Sequence, residues 1–253
     1  MTRIDDRVRG PLLVALAFLQ IVTPALPALG IGQDIGSRSA EAPTLITPPG
    51  WAFAIWGPIY LGLILYAVWS ALPRNRARPI VRRVAPFAAI GIALNALWPV
   101  VYQVQGSSGW SVLVILAEAI AFGLATRATT ATALGARDPD RWLVALPIGA
   151  IAGWVTAAAI LNTAGWLGNV ARVPLPAFAP EVWAMLAIAF GSVLASALVV
   201  ATGNAFPALT FLWALGGIAA RQAAIGNRPG LIVAIAGAAV VAALAVRTER
   251  RRR

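Results

Sequence analysis

Glu118 is the only acidic side chain that falls deep inside an apolar stretch of this chain. A carboxyl at bilayer depth either stays protonated and hydrogen-bonded, pairs with a helix-end arginine, or carries protons. Proton-coupled transport would need a relay of ionisable groups, and no second one stands at that depth. Three sets of rings, amides and small residues accompany it. After Trp51, Phe53, Trp56 and Tyr60 recur at i, i+3 and i+7, as do Asn95, Trp98 and Tyr102. Between Trp154 and Asn169, the residues Trp154, Ala158, Leu161, Asn162, Gly165, Trp166 and Asn169 fall on one helical face. Rings stack, amides orient a few hydrogen bonds, and small residues admit a flat ligand or another helix, which is the make-up of a small-molecule pocket. The first stripe also suits helix packing and an interfacial aromatic belt. Asn95 also suits an interhelical hydrogen bond worth about 1 kcal/mol.

The rest of the inventory narrows the chemistry. The chain has no histidine and no cysteine, which removes thiol catalysis, thiolate metal sites and the usual axial ligands of haem. No catalytic residue, metal site or obligatory cofactor is expected. All twenty basic residues are arginines, and they stand mostly between apolar segments, so the net charge of +11 speaks for membrane orientation and against nucleic acid.

These residues must be positioned by membrane-spanning helices. Of the 253 residues, 60% are hydrophobic and 11% charged, and the mean hydropathy is +0.80. Spans are expected at 10 to 31, 51 to 72, 84 to 104, 109 to 127, 142 to 166, 181 to 202, 206 to 222 and 229 to 246, each near the roughly 20 residues that cross a bilayer. The first follows Arg3, Arg7 and Arg9 but is too long for a signal peptide and leads into further spans. The stretch 206 to 246 divides in two because Arg221, Gln222, Asn227, Arg228 and Pro229 in its middle are costly in lipid. Pro48 and Pro49 mark the start of the second helix, under a polar loop, Gln33 to Gly50, that suits either a lid or a connector. The expected fold is therefore an all-α, polytopic membrane bundle of about eight transmembrane helices. Sixteen arginines fall on one side (3, 7, 9, 74, 76, 78, 82, 83, 127, 137, 141, 247 and 250 to 253) and four (38, 172, 221, 228) on the other, which puts both termini in the cytoplasm.

In order and spacing, these features resemble the TspO/MBR family of tryptophan-rich sensory and translocator proteins. Pro48, Pro49, Trp51, Phe53 and Trp56 follow that family's second-helix pattern, with the second tryptophan one residue early. Leu94, Asn95 and Trp98 follow its third helix, and Trp154, Val155, Ala158, Leu161, Asn162, Trp166 and Asn169 its fifth. The resemblance covers roughly 10 to 170 and implies a five-helix bundle over 1–170, leaving 171–253 as a three-helix extension with a basic tail. It also implies binding of a small hydrophobic planar ligand, a porphyrin or other tetrapyrrole or a lipid, for sensing or transport in a bacterial inner membrane. The ligand would be held by Trp51, Phe53, Trp56, Asn95, Trp98, Trp154, Ala158, Asn162, Gly165 and Trp166. Light-dependent porphyrin breakdown, with Trp51 and Trp154 or Trp166 as redox-active rings, is the alternative; the chain reads more as a non-enzyme. The family commonly forms homodimers, whereas the extension would favour a monomer.

A reporter fused after Arg253 is expected to be active only in the cytoplasm; activity confined to the other side would contradict the even number of spans.

Overall fold

A computed structural model describes residues 5–41, 43–130, 134–171 and 178–251. Arg3, Arg172, Arg252 and Arg253 lie outside the described residues. Those described form helices and no strands. Helix α1 spans Asp6–Val22 and tightens into a 3-10 segment, Thr23–Leu29, where Pro24 and Pro27 interrupt α-helical bonding. A short α2, Ile35–Glu41, lies in the first loop. Then come α3 (Trp56–Ala71), α4 (Pro79–Gln105), α5 (Gly109–Ala128), α6 (Leu146–Gly165), α7 (Pro180–Thr202), α8 (Pro207–Ala224) and α9 (Arg228–Arg250). Proline stands in the first turn of α4, α6, α7, α8 and α9, where its missing N–H costs nothing. Ser108 and Ser111 close a capping box at the start of α5, and Asn227 caps α9.

Seven helical segments among the described residues are long and apolar enough to cross a membrane, one fewer than expected. The missing one is α8, whose 18 residues end in Arg221 and Gln222 and reach about 27 Å against a hydrocarbon core of about 30 Å. It still runs from one end of the bundle to the other. Its first residues lie on Gly149 near the start of α6, and its Gln222 Nε2 donates to Leu45 O in the first loop. Both termini meet at the same end. Arg9 donates to the Arg76 carbonyl, Arg78 Nε donates to Asp140 Oδ2 at 2.8 Å, and Arg141 pairs with Glu249 at 2.7 Å. Arginines thus tie the loops together at the end where the termini meet.

Helices α1, α3, α6, α5 and α4 close a ring, each packed on the next, with α4 on α1. Helix α8 lies against α6, and α9 covers α7 and α8. Apolar side chains such as Phe18, Ile120, Val193 and Ile232 remain exposed on the outside, as a lipid-facing surface requires. Helix α6 touches both halves and is the most buried of the spans. Its glycines explain why: a Cβ on Gly153 would collide with the Pro207 carbonyl and lie 2.6 Å from Thr210 Oγ1, and one on Gly149 would lie 2.8 Å from Phe206 Cβ. Without a Cβ the backbones approach closely, which drives helix association in lipid through van der Waals contact. Thr210 Oγ1 completes the contact by donating to Ala150 O at 2.6 Å.

Gly153→Leu is expected to weaken the fold by about 1–3 kcal/mol or more, as overpacked cores do. Gly216→Ala, where a Cβ meets nothing within 4 Å, is expected to be neutral or better. Thermal unfolding in detergent checks both, and equal midpoints for the two variants would contradict the α6–α8 contact.

Candidate functional site

The second-helix motif does not enter the bundle as one regular helix. Gly50–Ile55 forms a 3-10 turn, and α3 begins only at Trp56. This tighter turn departs from the i, i+3, i+7 stripe at Phe53 but still aims Phe53 and Trp56 at the same ring. Trp154 of α6, 2% exposed, meets Phe53 edge-on at 6.2 Å and Trp56 edge-on at 5.9 Å. Trp56 in turn stacks on Tyr60 at 5.1 Å. Such ring pairs contribute about 0.5–1.5 kcal/mol each beyond the area they bury.

Across the ring interior, Asn95 of α4 donates from Nδ2 to Glu118 Oε1 of α5 at 2.7 Å, both residues being buried. The rings of Phe53, Trp154, Trp56 and Tyr60 thus form one connected set, and Asn95 with Glu118 forms a separate polar pair. One turn further along α4, Trp98 stacks on Tyr102 at 4.8 Å. Three buried polar atoms in this region have no hydrogen-bond partner: Asn95 Oδ1, Trp98 Nε1 and Trp154 Nε1.

The remaining expected residues divide between the site and its frame. Trp51 is half exposed and meets Trp213 of α8 edge-on at 5.5 Å, apart from the rings around Trp154. Trp213 Nε1 also donates to Ala52 O at 2.8 Å, so α8 holds the turn that presents Phe53 and Trp56. Asn162 Oδ1 lies 3.2 Å from Ser111 Oγ, joining α6 to α5. That contact makes Asn162 a helix–helix link. Ala158 packs on the core, Gly165 is buried, and Trp166 lies beside Gly109 at the α5–α6 seam. A π turn over Trp166–Val170 widens the helix after Gly165.

Tyr60, stacked on Trp56, and Glu118, bonded to Asn95, were absent from the expected ligand set although their stripe and depth marked them. The Gly149-x-x-x-Gly153 spacing, a known signal of close helix approach in membranes, would have located the α8 contact.

The first loop closes this end of the bundle. Asp34 Oδ2 accepts from the Gly36 and Ser37 amides, and Arg38 donates to the Gln103 and Val104 carbonyls at the end of α4, each at 3.1 Å. The loop's second half is held by Gln222 at Leu45 and by Gly217, where Pro48 sits.

Replacing Asn95 by Leu removes the donor to buried Glu118 and is expected to cost about 1–3 kcal/mol of stability. Glu118→Gln keeps an acceptor for Asn95 and is expected to cost less than about 1 kcal/mol. Detergent unfolding of the two variants measures the difference, and a reversed order would contradict the pairing.

Comparison with curated proteins and with solved structures gave no match. A family model described as TSPO-like protein matches residues 11–247, so the match continues beyond the motifs ending at Asn169 and takes in α7, α8 and most of α9.

Proposed function

From the premise that the chain belongs to the TSPO-like protein family, we propose that it binds a hydrophobic planar ligand, a tetrapyrrole or lipid, within the ring of α1, α3, α4, α5 and α6, for sensing or transport. The observation that carries this is the meeting of the Phe53, Trp56 and Trp154 rings with unpartnered Asn95 Oδ1, Trp98 Nε1 and Trp154 Nε1. A buried polar atom left without a partner costs about 1–3 kcal/mol, and a ligand that supplies partners there removes that cost. Ring N–H groups would donate to Asn95 Oδ1 and Glu118, while carbonyl or carboxyl groups would accept from the two indoles. With no histidine or cysteine to take an axial position, the inventory favours a metal-free tetrapyrrole over haem.

Proton coupling through Glu118 is less well supported. The other buried charged side chains among the described residues, Arg9, Asp140 and Arg141, lie at the end where the termini meet. That arginine-rich end is the cytoplasmic one on the charge rule. Helices α7 to α9 cover α6 and favour a monomer.

The test is titration of the purified protein with protoporphyrin, followed by tryptophan quenching. Saturable binding is expected, weakened about tenfold in Trp154→Phe, which loses one hydrogen-bond donor and ring area. Trp110→Phe, at a residue 66% exposed, is expected to match the wild type. Absent or non-saturable quenching in the wild type, or equal affinities for all three proteins, would overturn the proposal.

A further inference from the structure

On the outer face of α7 and α9 two grooves meet end to end. The first has a volume of about 570 Å³ and an almost wholly apolar lining that includes Ser196, Val200, Gly237, Val240 and Leu244. The second, about 410 Å³, is lined by Val200, Gly203, Leu244, Arg247, Thr248 and Arg251. Val200 and Leu244 belong to both, so the two form a single channel that is apolar along the helices and basic at its end.

The backbone explains this shape. Helix α7 stops at Gly203, whose φ of 65° turns the chain away, while α9 continues to Arg250 and overhangs it. Arg247 and Arg251 stand four residues apart at the end of the overhang, on one face. Neither has an acidic partner among the described residues, and the nearest carboxylate in sequence, Glu249, is engaged with Arg141. From Val233 to Leu244 the apolar part covers about 16 Å of helix, close to the roughly 15 Å of one leaflet. The basic part falls where phosphates of that leaflet would lie.

We infer that this channel holds one anionic glycerophospholipid of the surrounding bilayer. An acyl chain lies along Ser196 and Val240, and the phosphate sits between Arg247 and Arg251. The site is separate from the ring interior and requires no ligand there. It fixes α7 to α9 at the end where the two helices splay, and charge complementarity selects an anionic headgroup over a zwitterionic one.

Native mass spectrometry of the full chain, released from detergent after exchange into phosphatidylglycerol or phosphatidylcholine of the same acyl chains, tests this. One phosphatidylglycerol is expected to be retained and phosphatidylcholine lost. The Arg247→Gln/Arg251→Gln double variant is expected to hold the anionic lipid about 30-fold more weakly. Val240→Trp, which fills the groove from an exposed position, is expected to abolish retention, and Arg250→Gln on the neighbouring face to leave it unchanged. Four outcomes would overturn the inference: equal retention of the two lipids; an Arg250→Gln effect as large as that of the double variant; binding of free glycerol phosphate as strong as that of the lipid; or a lipid-free dimer that Val240→Trp dissociates, which would make a second copy the occupant.

Discussion

Helix α6 can lie against α8 as closely as it does only because Gly149 and Gly153 carry no side chain, and the arrangement of the site depends on that contact. With α8 seated there, Trp213 accepts the edge of Trp51 and donates to Ala52 O, while Pro48 rests on Gly217. Those contacts hold the 3-10 turn Gly50–Ile55, and the turn sets Phe53 and Trp56 against Trp154 on the other face of α6. A single helix thus carries Trp154 on one side and the seat of α8 on the other. Helix α8 is part of how these rings are placed, in keeping with a family match that continues to 247.

Inside the ring, the cost of burying polar groups is only partly offset by pairing. Burying Asn95 and Glu118 together satisfies one amide N–H and one carboxyl oxygen, which offsets part of the cost of placing them in an apolar interior. Asn95 Oδ1 and two indole N–H groups stay unsatisfied. At the far end, Arg78, Asp140 and the Trp69 Nε1 donor to that carboxylate hold loops together, as does the Arg141–Glu249 pair.

Much of this was legible in the sequence, because hydropathy and arginine placement report on the bilayer, which acts on every residue locally. Span positions, the Asn95 and Trp154 segments and the isolation of Glu118 followed from that. What the sequence obscured depends on contacts between distant residues. The 3-10 turn before Trp56 is held by Trp213, far along the chain, so the regular stripe of Phe53, Trp56 and Tyr60 breaks at Phe53. Trp166 lies beside Gly109 at the α5–α6 seam, a contact set by where α5 packs. Asn162, an amide in an apolar helix, accepts from Ser111, which lies far from it in sequence. Helix α8 is weak as an isolated span because Arg221 and Gln222 lower its hydropathy, yet Gln222 is fully buried and engaged with the first loop.

The seat of α8 on the glycine face of α6 can be tested by thiol cross-linking, because the chain has no cysteine of its own. Trp142, just before α6, and Phe206, just before α8, have ring centroids 5.9 Å apart, and neither is a glycine of the contact. In Trp142→Cys/Phe206→Cys, a short bifunctional thiol reagent is expected to link the two positions in most molecules, and adding Gly153→Leu is expected to abolish the link. A folded double variant that kept two free thiols, or that linked equally well with Gly153→Leu, would contradict the account.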